Sequence, residues 1–146
     1  DFFEAAVTFY TLDLEETLAA LRRHFFTHAD ARGLISNLQR MNRLLIQLRV
    51  LIDSGALGPR VGKGDLGRAE ERFADVFGGA DDKSPFNIFT QNPFYLSRLM
   101  RAANRLKLKQ LIDFQLTFLR AFEACVSRPN DQETVMREAV IRCLGR

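Results

Sequence analysis

Apolar residues recur along this chain at intervals of three and four, the period of helices that bury one side. Phe2 to Tyr10 is a short apolar segment that predicts a first helix. Asp13 then precedes Leu-Glu-Glu, with Glu16 three residues on. That is a capping-box pattern, in which the Asp13 carboxylate accepts an orphan N–H and Glu16 reaches back. The helix it opens carries Leu14, Leu18, Leu21 and Phe25 on one stripe. The next helix, from about Asp30 to Ser54, repeats Leu34, Leu38, Met41, Leu45, Leu48 and Ile52. Leu44, Ile46, Val50 and Leu51 widen its apolar surface well beyond one stripe, which predicts a central helix packed from several sides.

Glycines and Pro59 interrupt the pattern over residues 55–64. DLGRAEERFADVF predicts a short helix capped by Asp65, and GGADDKSPFNIFTQ is irregular. Asn92-Pro93 restarts helix, because Asn is a good N-cap and Pro suits the first helical position. That helix covers Phe94 to Asn104. A break at Arg105–Lys107 leads to a long helix ending near Ser127, with Leu111, Phe114, Phe118, Phe122 and Cys125 on one face. Pro129 stops it. Asn130 with Glu133 forms a second capping-box pattern before a last helix through Val135, Met136, Ala139, Val140 and Cys143. No segment alternates like a strand. The fold class is therefore all-α, a single helical bundle of six to seven helices over residues 1–146, with a long irregular connector at 55–91.

Composition changes this picture little. Of 146 residues, 47% are apolar and 27% charged, as in an ordinary globular domain. No apolar run approaches the roughly 20 residues of a membrane span, so no membrane partner is expected. The chain begins at Asp1 rather than Met, which predicts a piece cut from a longer protein. Charge is more telling, because it is uneven. Residues 1–30 carry two basic and six acidic groups, whereas residues 92–128 carry seven basic and two acidic. Such asymmetry guides packing against a charged partner.

Candidate chemistry is sparse. GPRVGKGDLG, residues 58–67, has the look of a phosphate-binding loop, but Leu57 and Gly64 stand where that motif needs its first Gly and its magnesium-binding hydroxyl. A helix end precedes it instead of a strand, so the stretch reads as a connector. His24 and His28 are one turn apart, but Phe25 follows His24 where a zincin needs Glu, and no third ligand is suggested. They read as helix-end histidines. The adjacent pairs Glu15/Glu16 and Glu70/Glu71 point about 100° apart on a helix, so neither makes an acid–base dyad. Cys125 and Cys143 lack CxxC spacing and read as buried free thiols in a reducing cytosol. No catalytic, cofactor-binding or metal-ligating set emerges. One group differs in kind. Arg98, Arg101 and Arg105 follow each other at spacings of three and four, with Lys107 and Lys109 close behind. They form either a solvated face or a contact for nucleic-acid phosphate or an acidic partner subunit.

The stretch NPFYLSRLMRAANRLKLKQLIDFQLTFLRAFEACVSRP, residues 92–129, resembles the C-terminal collar domain of the bacterial DNA polymerase III clamp-loader delta subunit. The shared features are the Pro-aromatic helix start at Pro93-Phe94, the basic helix Arg98 to Arg105, the short break, and Leu108 and Leu111 opening a long helix. The closing helix from Val135 to Leu144 fits as well. Upstream, LDLEETLAALRRHF and the Leu-rich helix after it resemble the start of the same domain. Two departures stand out. Where the family typically has an acidic residue and a lysine one turn apart, this chain has Phe122 and Val126, and its 55–91 connector is longer. The resemblance implies a cytoplasmic, non-catalytic assembly domain without cofactor, joined to other clamp-loader subunits in a hetero-oligomer that loads the sliding clamp during DNA replication. ATP would be hydrolysed by the sister subunits, and DNA contact would be secondary in this domain. The alternative is a helical nucleic-acid-binding module using Arg98, Arg101, Arg105, Lys107 and Lys109.

Overall fold

The computed structural model describes residues 2–62, 64–79 and 81–145, the side chains of Phe2 and Phe3 excepted, so Lys63 of the glycine-rich stretch lies outside the described residues. The chain is all-helical. Its elements are α1 (Phe2–Phe9), α2 (Leu14–Thr27), α3 (Arg32–Asp53), α4 (Asp65–Phe77), a 3₁₀ turn (Ile88–Thr90), α5 (Pro93–Ala103), α6 (Leu108–Ser127) and α7 (Gln132–Leu144). No strand occurs among the described residues, and no described helix is long and apolar enough to cross a membrane.

Two compact units divide the chain. The first is Asp1–Gln39 with Ile112–Arg146, and the second is Arg40–Leu111. The long helices α3 and α6 each supply residues to both.

In the first unit α2 packs against α1 and α7. Phe9 is fully buried, and its ring meets Phe114 and Phe118 edge to face, at centroid distances of 5.3 and 5.4 Å. That geometry sets positive ring edges against negative faces. Leu21, Leu34, Ile35, Leu38, Met136 and Val140 fill the space around them. Polar side chains tie down the turns. The Tyr10 hydroxyl donates to the Leu38 carbonyl (3.3 Å), and the Ala31 amide donates to Gln132 Oε1 (2.7 Å).

Asp13 caps α2 as its pattern predicts, accepting the Glu16 amide at 3.0 Å. The buried face of α2 is nevertheless rotated from the expected stripe. Thr17, Ala20, Leu21 and His24 are buried, while Leu14, Leu18 and Phe25 are only half-buried. With neighbours on two sides, α2 turns its small residues inward, and the Thr17 hydroxyl is satisfied by the Asp13 carbonyl at 2.6 Å. On α6 the inward position after Phe118 is Ala121, and Phe122, expected in the core, points outward. The Asn130–Glu133 capping box does not form. Asp131 occupies the N-cap without a side-chain bond, and Gln132, the first helical residue, is the one that reaches across to Ala31.

In the second unit α3 is buried on most of its circumference, through Met41, Asn42, Leu44, Leu45, Gln47, Leu48 and Leu51. Leu57, Ile88, Leu96, Leu99, Met100, Leu106 and Leu111 complete this core. Asn92 Oδ1 accepts the Phe94 amide at 2.8 Å and Pro93 sits in the first turn of α5, as expected. Asp65 does not cap α4. Gly64 holds the N-cap at φ 87°, a left-handed conformation that suits glycine, and the Asp65 carboxylate instead accepts the Gly62 amide at 2.6 Å. Phe73 and Phe77 stack on α4, and α4 packs against the 3₁₀ turn.

Each unit has a central apolar residue on a long helix, Leu45 in the second and Phe118 in the first. Truncation of either to Ala is expected to cost about 2–5 kcal/mol, from lost transfer energy and the cavity left behind. Chemical denaturation of both variants checks this, and unchanged midpoints would place those side chains outside the cores.

His24 adds a pH dependence. Burial, followed by the charge of His28, pushes its pKa below the ordinary 6.5, against the pull of a bond to the Asp30 carbonyl (3.2 Å) and the Asp30 charge. The stabilisation from the neutral ring is complete above pH 6.5 and is lost as pH falls through the lower folded value. The melting temperature of the native chain should therefore drop between pH 7.5 and 5.5 by more than that of His24→Gln, which keeps a donor but cannot titrate in this range. Equal drops in the two proteins would remove His24 as the cause.

Candidate partner-binding surfaces

The five basic residues singled out by the sequence all lie in the second unit, and all are exposed. Arg98 and Arg101 share a face of α5. Arg101 falls in the last turn, where a cation complements the partial negative charge of the helix C-terminus. Arg105 is not on that helix. α5 ends at Ala103, and Arg105 sits in the turn that follows, its amide bonded to the Ala102 carbonyl at 3.0 Å. Lys107 precedes α6, and its amide donates to Gln110 Oε1 at 2.8 Å. This is the half of a capping box in which the third helical residue reaches back. Lys109 lies in the first turn of α6. The five thus spread over a helix, a turn and the next helix start, not along one helical stripe.

Their setting reinforces the positive charge. No acidic residue occurs between Lys83 and Ile112. Arg40 on α3 donates to the Tyr95 hydroxyl at 3.4 Å. Burial pushes the Tyr95 phenol upward, and the Arg40 and Arg98 charges oppose that shift, which places Arg98 near this pair. Over the sequence of the second unit there are thirteen basic and seven acidic residues, and over the first unit eight and eleven. The net charges are +6 and −3, so the modest total of +3 conceals a division between units.

Polar side chains of α3, which periodicity alone does not single out, tie down the segments on either side of α5 and the start of α6. Arg49 Nη1 donates to the Ala103 carbonyl at 2.8 Å, satisfying the C-terminus of α5. The same guanidinium holds Asp53 at 2.6 Å. Buried Asn42 donates to the Leu111 carbonyl at 2.8 Å. Gln47 clamps the connector from both sides of its amide. Its Nε2 donates to the Phe86 carbonyl at 2.7 Å, and its Oε1 accepts the Ile88 amide at 2.9 Å. The one available signal was an Asn and a Gln among the apolar positions of a helix buried nearly all round.

A second surface lies on α6 in the first unit. Ile112, Leu116, Leu119, Phe122 and Val126 are each between 39% and 64% exposed. At 100° per residue they form a stripe about 120° around the helix from the buried Phe114, Phe118, Ala121 and Cys125. It runs about 21 Å along the axis. α6 therefore has two apolar faces, of which one is covered.

The His24 and His28 rings lie 4.9 Å apart, and no cluster of three or more His, Cys, Asp or Glu suited to a metal ion occurs among the described residues. Cys125 and Cys143 are free. Burial pushes both thiols up, Cys143 to about 11 despite a bond from Thr117 that acts the other way, so neither carries a thiolate at neutral pH.

No protein-family model, no curated protein and no solved structure matches this chain.

The Gln47 clamp gives a direct prediction. Gln47→Leu keeps the bulk but leaves the Phe86 carbonyl and Ile88 amide unsatisfied, at a cost of about 1–3 kcal/mol. Limited proteolysis should cut the variant faster than the native chain within 78–91. Unchanged cleavage and stability would show that the connector holds without it.

Proposed function

We propose that this chain is a non-catalytic assembly domain, similar to the collar of a DNA polymerase III delta subunit, which joins a clamp-loader complex. The observation that carries the reading is the outer stripe of α6. A contiguous apolar face on a long helix is what a subunit-joining domain must present before its neighbours cover it. The stripe lies in the same segment as the family resemblance, and it includes Phe122 and Val126, the two positions at which the chain departs from that family's charged pair.

A second reading has its own observation. Five exposed basic side chains in an acid-free run of sequence suit nucleic-acid phosphate.

One experiment separates the two. Leu119→Glu with Phe122→Glu disrupts the stripe. Arg98→Glu, Arg101→Glu and Arg105→Glu reverse the basic surface, as a triple change because single exposed charges contribute only about 0–1 kcal/mol. Each set is assayed by pull-down with the remaining clamp-loader subunits and by DNA titration at two salt concentrations. The assembly reading expects the stripe variant to lose capture by about tenfold or more while its melting temperature holds. It also expects the basic triple variant to weaken assembly more than a DNA affinity that is already poor. Micromolar DNA binding at physiological salt that vanishes on charge reversal, with assembly intact, would overturn it in favour of the second reading.

A further inference from the structure

α6 and α7 flank an open cleft of about 140 Å³ in the first unit, on the side of α6 away from the apolar stripe. Its floor is formed by the better-buried lining residues, Ala121, Ala124, Val135 and Ala139, with Thr117 beside them. Its exposed lining residues are three arginines, Arg120, Arg128 and Arg142, and one acid, Glu138. This concentration of positive charge occurs in the unit whose sequence is acidic overall.

None of the three arginine side chains forms an ion pair or hydrogen bond with a described residue. The absence is informative for Arg142. Glu138 stands four residues before it on α7, the favourable order for a helical ion pair, and yet the two do not pair. Among the described residues, all three forks are left open to a ligand. Arg120 and Arg128 are eight residues apart, about 12 Å along the direction of α6. Positive charge therefore sits at separate points along the cleft, with the alanine floor between.

We propose that the cleft between α6 and α7 binds an acidic peptide segment in which one aliphatic side chain is flanked by carboxylates. Planar guanidinium forks bind carboxylates in pairs of parallel bonds, which fixes orientation as well as charge. The alanine floor takes the aliphatic side chain. A nucleic-acid backbone or a free phosphate would meet the arginines but leave that floor uncovered. The inference stands apart from the assembly reading, because it rests on neither the α6 stripe nor the basic residues of the second unit.

The test is fluorescence polarisation of the whole chain with a labelled synthetic peptide, Glu-Asp-Leu-Asp-Glu, in about 0.15 M salt, where long-range attraction is screened. The controls replace the four acids by Lys, or the Leu by Ser. Saturable binding is expected for the first peptide, none for the lysine peptide, and weaker binding for the serine peptide. Arg120→Gln, Arg142→Gln and the floor-filling Ala124→Trp should each weaken binding several-fold, while a change at exposed Arg22, which does not line the cleft, Arg22→Gln, leaves it unchanged. The arginine changes are at exposed positions, so they remain decisive if Ala124→Trp fails to fold. Absence of binding at millimolar peptide would overturn the proposal. So would affinity unchanged by Arg120→Gln and Arg142→Gln, or complete displacement by inorganic phosphate or single-stranded DNA at an equal concentration of charge.

Discussion

A buried backbone amide or carbonyl without a partner costs as much as a broken hydrogen bond, and the second unit is organised by how α3 meets that demand. The connector before α5 is mostly irregular and cannot satisfy its own backbone through a helical ladder. Gln47 supplies both a donor and an acceptor to it, at Phe86 and Ile88. Arg49 closes the open end of α5, and buried Asn42 finds its own partner in the Leu111 carbonyl in the first turn of α6. These side chains share a helix with Leu44, Leu45, Leu48 and Leu51, so a single element provides both the apolar core and the polar ties. The α5–α6 turn, which carries the exposed Arg105 and Lys107, is anchored at its start by Arg49, whose guanidinium is itself only partly buried.

The first unit works differently. Its centre is aromatic, with Phe9 set edge-on to two rings of α6. Small residues decide which way α6 faces. Ala121 takes the inward position and Phe122 moves to the outside, where it joins Ile112, Leu116, Leu119 and Val126. The same economy of side-chain volume at Ala121, Ala124 and Ala139 leaves the arginine-rimmed cleft beside α7. One helix thus presents a core face, an uncovered apolar face and one wall of a charged cleft.

Much of the helical layout was legible in the sequence, because a 3.6-residue period and the chemistry of helix starts are local. Asp13 and Asn92-Pro93 mark real helix starts for that reason. The failures were tertiary. The buried face of α2 depends on two neighbours at once, and Leu14, Leu18 and Phe25 look like core until those neighbours are known. Asp65 and Asn130 have the right side chains for capping, but Gly64 and Asp131 occupy the cap positions. Of the candidate surfaces, the basic residues were legible as a cluster, though Arg105 falls beyond its helix. The outer stripe of α6 was not, since a pattern of apolar spacing does not say which apolar face is covered. The cleft escaped because its arginines, at 120, 128 and 142, come together only when two helices lie side by side.

The uncovered stripe of α6 has a consequence for what the stability of this chain means. A species that binds the folded chain over those five side chains, and ignores the unfolded one, adds to the unfolding free energy in proportion to the logarithm of its concentration above its dissociation constant. The folding equilibrium then becomes a property of the mixture, not of the polypeptide alone. In a cell the chain's lifetime against proteolysis would follow the supply of whatever covers that face, and surplus copies would be removed first. Where a partner covers such a surface, the abundance of one component is tied to that of another without any regulatory protein between them.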